Sequence, residues 1–226
     1  LRIVIFYIYL KIKIIIKMPK ISLKGQTMPQ SPIRKLVPYA ENAHKQGKTV
    51  YYLNIGQPDI KTPQIALDAV KVHSLDILAY TRSEGSEDFR KKIAGYYSKK
   101  EIYVKPDDII VTTGGSEALL FAFGSIMDTD DEIIIPEPFY ANYNGFSTAS
   151  NVNVVPVISK IEDNFALPPI KEFEKLITPK TKAIMLAHAL GNPFNLSVVM
   201  AIAKKYNLWV VEDDCDSLGA TYKGQK

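Results

Sequence analysis

A single cysteine, Cys215, stands among 226 residues. That excludes a disulfide framework and any cysteine-based zinc site. Histidine is nearly as sparse: His44, His73 and His188 lie far apart in the chain and form no constellation, so a structural role is expected for each. Neither GxxxxGK nor GxGxxG occurs, which removes the Walker loop and the dinucleotide fingerprint. Glycine and proline together are too few for a collagen-like chain, apolar residues at 46% are too many for a disordered one, and 14 prolines do not suit a coiled coil. Surplus charge is missing as well. The formal +4 is carried by Arg2, Lys11, Lys13 and Lys17 in an acid-free prefix, and from Met18 onward bases and acids balance. A neutral body gives no reason to expect nucleic acid as a partner.

Residues 1–17, LRIVIFYIYLKIKIIIK, differ in kind from the rest. As a membrane span they are near the lower length limit, and Lys11 and Lys13 would each cost about 2.5–3.5 kcal/mol at a bilayer centre. As a signal peptide they lack a small-residue cleavage site. They read as a translated upstream stretch before a start at Met18, with a lipid-touching anchor as the alternative. No other apolar run of that length follows, so the body is expected to be soluble and cytoplasmic, without a membrane partner. Residues 18–49 form a polar, proline-punctuated arm and a helix over 38–46 that Gly47 stops. Residues 50–226 form the main body.

That body alternates short β-rich runs with amphipathic helices. Strands are predicted over 50–56 (VYYLNIG), 108–112 (DIIVT), the EIIIP run, 152–158 (VNVVPVI), 182–188 (KAIMLAH) and 208–213 (LWVVED). Helices are predicted over 62–73, with Thr62 as cap and Pro63 in the first turn, and over 86–97, 117–127, 139–150, 170–176 and 198–206. The pattern implies an α/β fold of three layers, α/β/α, around a mostly parallel sheet. Ligands of such sheets sit outside the carboxyl ends of the strands, so the residues just after each strand carry the information.

After DIIVT comes Thr113-Gly114-Gly115-Ser116, opening a helix. Two glycines admit an anion to the backbone, the helix N-terminus offers free N–H groups, and Ser116 adds a hydroxyl. The same residues also suit a plain turn and cap. After EIIIP comes Glu137-Pro138-Phe139-Tyr140-Ala141-Asn142-Tyr143, either an aromatic platform for a flat ring or a core cluster. After LWVV comes Glu212-Asp213-Asp214-Cys215-Asp216. Clustered carboxylates at a strand end need a cation, a metal or a protonated ring nitrogen, unless the loop is simply solvated. Asn192-Pro193 adds an amide at the same rim. Cys215, next to carboxylates that disfavour a thiolate, is a poor nucleophile.

In series, LNIGQPD, YTRSEGSEDFRKKIA, VTTGGSEAL, PEPFYANY and TPKTKAI resemble the class I/II aminotransferases, near the aspartate aminotransferase branch, over about residues 18–184. Those are fold-type-I proteins that use pyridoxal 5′-phosphate (PLP). The resemblance implies transfer of an amino group between amino acids and 2-oxo acids, with this chain supplying part of the PLP-binding large domain. It implies Gly56 beside the substrate carboxylate, Tyr80 reaching the cofactor phosphate of a neighbouring subunit, and hence a homodimeric full-length parent. It places Gly115 and Ser116 in the phosphate cup, Tyr140 on the pyridine ring and Asp213 on the pyridine nitrogen. Asn192 matches the asparagine that bonds the cofactor's phenolic oxygen.

The usual NPxNPTG is replaced by AHALGNPFN, and residues 188–226 are more similar to the sugar-nucleotide aminotransferases and dehydratases of the DegT type, which use PLP or its amine form. Asp213 keeps its role in either alignment; Asn192 matches only the first. The resemblance also implies a Schiff-base lysine after the aspartate strand. Lys223 and Lys226 come too early for that motif, so no catalytic residue is assigned within the chain. An aminotransferase fragment with little activity of its own is therefore the first expectation. A sugar-nucleotide enzyme and a non-catalytic remnant are the alternatives.

Overall fold

β-Branched and aliphatic runs supply the sheet at the centre of the molecule. The computed structural model describes residues 19–72, 76–77 and 79–225. The prefix 1–17, Met18, His73 and Lys226 therefore lie outside the described residues. Strands β1 (Glu132–Glu137), β2 (Asn153–Ile158), β3 (Thr181–Ala187) and β4 (Trp209–Asp213) run parallel in the order β2-β1-β3-β4. Register pairs Ile133 with both Val154 and Ala183, and Ala187 with Asp213. Pro156, which has no amide hydrogen to donate, is tolerated because β2 is an edge of this sheet.

In the two central strands Ile133–Ile135 and Ala183–Leu186 are almost wholly buried. An unbroken apolar run is what a parallel strand covered on both faces demands. The period of two sorts these side chains into two cores. Ile133, Ile135, Ala183 and Met185 pack with Phe123, Met127 and Tyr143 beneath α5 (Gly115–Ile126) and α6 (Tyr143–Ser150). On the opposite face Ile134, Ile184 and Leu186 pack with Phe173, Val199 and Ile202 from α7 (Ile170–Glu174) and α8 (Leu196–Tyr206). Each such side chain contributes about 1.5–3 kcal/mol of burial. The expected three-layer α/β/α arrangement is present.

The N-terminal part is looser. Helix α1 (Leu23–Thr27) is capped by the Ser22 hydroxyl, which accepts the Gly25 amide, and Lys24 Nζ reaches the Ala149 carbonyl at 3.0 Å. A 3-10 turn, Arg34–Leu36, runs into α2 (Val37–Lys45), and Gly47 ends it at φ +74°. Helix α3 (Gln64–Lys71) has Pro63, not Thr62, at its N-cap. Helix α4 (Glu87–Ser98) is held by Arg90, buried to 2% exposure, which donates to the Pro106 carbonyl at 2.6 Å and pairs with Glu84 at 3.2 Å. Gly85, at φ +97°, passes so close to Val111 that a Cβ there would lie 2.7 Å from the Val111 Cβ.

Two expected strands are absent. Among the described residues the backbone of 50–56 bonds only locally, Leu53 N–H to Tyr51 and Gln57 N–H to Ile55, and Tyr51 is 81% exposed. Residues 108–112 begin as a 3-10 turn, Pro106–Asp108, and continue extended, with Val111 N–H donating to Glu84 rather than into the sheet. Apolar β-branched sequence favours extended backbone, but a strand exists only where a neighbour takes its hydrogen bonds. The helix expected over 139–150 starts instead at Tyr143: residues 140–143 form a turn in which the Tyr143 amide donates to the Tyr140 carbonyl at 2.9 Å, and Asn142, whose NH2 group donates to the Tyr140 hydroxyl, occupies the N-cap. Among the described residues no helix is long and apolar enough to cross a membrane.

Candidate functional site at the carboxyl edge of the sheet

Helix α5 reaches Glu132 through a short connection, and Met127 at its end packs with Ile133. It therefore runs antiparallel to β1 and delivers its N-terminus to the carboxyl edge of the sheet. Gly114, at φ +101°, occupies the N-cap without any side-chain cap, and Gly115 and Ser116, which open the helix, are both exposed. Glu117 is folded back on the Thr113 amide at 2.6 Å, and the Thr112 hydroxyl donates to the Gly114 carbonyl at 2.9 Å, which together fix the turn. One turn into the helix Leu119 packs on the same core as Phe139, from the loop after β1, and Val211, within β4.

Asp213 closes β4. Its carbonyl accepts the His188 amide at 3.1 Å, tying the ends of β3 and β4 together. Its side chain points to the α5–α6 face, where Tyr143 Oη donates to Oδ2 at 2.6 Å, while the Cys215 amide donates to Oδ1 at 3.0 Å. Tyr143 is 1% exposed, stacked with Phe139 at 6.0 Å and edge-on to Tyr140 at 5.4 Å and 86°. Tyr140 remains 44% exposed, so its ring is open to a ligand. Asn192 sits beyond β3 in a tight 3-10 turn, Ala189–Gly191, its amide donating to the Ala189 carbonyl at 3.3 Å. The turn is pinned where Leu190 N–H donates to Asp216 at 3.3 Å.

The carboxylates of 212–216 do not act as one group. Alternation along β4 sends Asp213 to one face and Glu212 and Asp214 to the other, where His188 Nε2 lies 2.9 Å from Glu212 and 3.5 Å from Asp214. His188 is buried and stacked on Phe194 at 4.2 Å, and its ring nitrogen and one carboxylate oxygen each from Glu212 and Asp214 lie within 4.8 Å of one another. Of the site residues expected from sequence, Tyr140, Asn192 and Asp213 stand on one rim, with Gly115 and Ser116 at the helix end that faces it. Tyr80 is fully exposed, and Gly56 meets nothing within 4 Å of where its Cβ would be. No contact among the described residues brings those two to the rim.

Tyr143 was missed as a functional residue. Its signal was its company: a tyrosine inside an apolar cluster needs an acceptor for its hydroxyl, and a strand-end carboxylate needs donors. Burial, with the Asp213 carboxylate as acceptor, pushes the Tyr143 hydroxyl far above the ordinary tyrosine range. In the unfolded chain that hydroxyl ionises near about pH 10. The folded chain keeps the proton, so this stabilisation is complete below that pH and is lost as pH rises above it. Between about pH 9 and pH 11 the urea midpoint should therefore fall further for the unsubstituted chain than for Tyr143→Phe. Parallel losses would contradict the burial of this hydroxyl.

A sequence model of the DegT/DnrJ/EryC1/StrS aminotransferase family matches residues 78–226. The chain is 31% identical over 212 residues to an aspartate aminotransferase of Thermotoga maritima, covering 88% of this chain and 55% of that one. It is 38% identical over 130 residues to the lipopolysaccharide biosynthesis protein RfbH of Salmonella typhimurium, covering 52% of this chain and 28% of that one. Among solved structures, the alanine aminotransferase of Pyrococcus furiosus superposes with a TM-score of 0.77 at 30% identity, over 91% of this chain and 55% of its own. The Thermotoga maritima aspartate aminotransferase gives 0.76 at 28%, over 86% and 54%. The chain spans about half the length of the curated relatives that it matches along most of its own length.

Proposed function

The chain belongs to the DegT/DnrJ/EryC1/StrS aminotransferase family, and from that premise we propose that its carboxyl edge is part of a PLP site in a protein that transfers amino groups between amino acids and 2-oxo acids. The observation that carries this reading is the Asp213 carboxylate, held at a strand end by two donors beside a half-exposed aromatic ring. The residues present fit the cofactor. An uncapped helix N-terminus suits its phosphate, Tyr140 suits its ring face, and an anchored carboxylate suits a protonated pyridine nitrogen.

When bound, PLP supplies an electron-withdrawing ring that stabilises charge at the α-carbon of an amino acid. The chain's own part is to seat and polarise that ring. Asp213 would hold the proton on the ring nitrogen, Tyr140 would bear the ring, and the amides of Gly115 and Ser116 with the Ser116 hydroxyl would hold the phosphate. Asn192 would bond the phenolic oxygen. Tyr80 serves the phosphate of a neighbouring subunit in a homodimer, and Gly56 lies beside the substrate carboxylate; both roles rest on resemblance alone. The match to RfbH favours a second reading, in which the acceptor is a nucleotide-linked sugar.

The test is an absorbance titration of the chain with pyridoxine 5′-phosphate, which keeps ring and phosphate but has no aldehyde to react with lysines. Saturable binding, displaced by millimolar inorganic phosphate, is expected. Absence of saturation, or indifference to phosphate, would overturn the reading.

A further inference from the structure

We propose that Tyr143 is a positioning residue that sets the Asp213 carboxylate and the Tyr140 ring in one fixed relation. The proposal rests on the PLP reading of this rim. A strand-end carboxylate with free neighbours rotates and presents either oxygen. Here Oδ2 accepts Tyr143 Oη at 2.6 Å and Oδ1 accepts the Cys215 amide at 3.0 Å. The two donors fix the plane of the carboxylate, yet each oxygen keeps a further lone pair for a ligand. The short O–H···O distance is that of a charge-assisted bond.

The donor comes from the rigid core. Tyr143 is 1% exposed within the α5–α6 core, its ring stacked on Phe139. The edge of that same ring meets Tyr140 at 5.4 Å and 86°. A flat ligand resting on Tyr140 thus finds Asp213 held by the same side chain that meets the Tyr140 ring, seventy residues away in sequence, with the Cys215 amide as the second donor. Tyr143 itself remains beneath the platform and touches no ligand.

The experiment compares the full chain with Y143F, D213N and Y143F/D213N, using pyridoxine 5′-phosphate as probe. Its readouts are the dissociation constant, and the pH at which the bound ring nitrogen loses its proton, read from the ring absorbance. Y143F should weaken binding about tenfold and lower that pH by about one unit, the same free energy seen twice. The double variant should bind no more weakly than D213N, because an oriented charge that is absent has nothing to gain from orientation. Unchanged binding in Y143F, a rise of the ring pH, or additive losses would overturn the proposal. A D213N variant that binds like the unsubstituted chain would instead overturn the PLP reading itself, and this proposal with it.

Loss of packing alone would weaken binding without moving the ring pH. A further readout needs no change at Tyr143. With tyrosine ζ-carbons labelled, D213N should displace one of the thirteen signals, and ligand binding should move that same signal. No displaced signal in D213N would also overturn the proposal.

Discussion

Phe123→Ala is expected to destabilise the chain by about 3–5 kcal/mol, the range found when a buried aromatic is cut to alanine. Phe123 has no exposed surface and packs among Met127, Ile133, Ile135, Tyr143 and Met185, where α5 meets the sheet. Since single domains hold only about 5–15 kcal/mol in total, the loss is a large share of what keeps this chain folded. The effect should also reach function, because the same helix carries Gly115 and Ser116. Urea unfolding would show a lower midpoint at similar slope, whereas Met200→Ala, at a half-exposed position, should stay within about 0.5 kcal/mol. A loss below about 1 kcal/mol for Phe123→Ala would show that α5 is not seated as described.

Asp213→Asn should weaken pyridoxine 5′-phosphate binding by about ten- to 150-fold, the equivalent of about 1.5–3 kcal/mol for a hydrogen bond to a charged group. Asparagine keeps the shape; its single amide oxygen accepts from Tyr143 while the bond from the Cys215 amide is given up, and the main-chain bond from His188 to the Asp213 carbonyl holds the sheet edge. What is lost is the negative charge facing the ring nitrogen. The ring should therefore shed its proton at lower pH when bound to the variant. Phosphate displacement should persist, because the α5 terminus is untouched. An unchanged dissociation constant would remove Asp213 from the site.

Much of this was legible because parallel-sheet chemistry is local. The isoleucines of β1 and the Ala-Ile-Met-Leu run of β3 announce strands buried on both faces, and the carboxyl-edge rule then singles out Tyr140, Asn192 and Asp213. What sequence could not provide is pairing. Residues 50–56 and 108–112 have strand composition but no described strand to pair with, and composition cannot supply one. The five-residue acidic run looked like one cluster because the strand's alternation, which splits Asp213 from Glu212 and Asp214, depends on where β4 ends. Tyr143 lies in an aromatic motif whose composition suits a core cluster and a platform alike; the structure buries its ring in the core and gives its hydroxyl to Asp213.

The most direct test is a crystal structure of the chain with pyridoxine 5′-phosphate bound. The expected result places the phosphate against the amides of Gly115 and Ser116, the ring on Tyr140, and the ring nitrogen about 2.7–3.1 Å from an Asp213 oxygen. A ligand seated elsewhere, or lying in the rim with its ring nitrogen turned away from Asp213, would contradict the assignment of this edge as a PLP site.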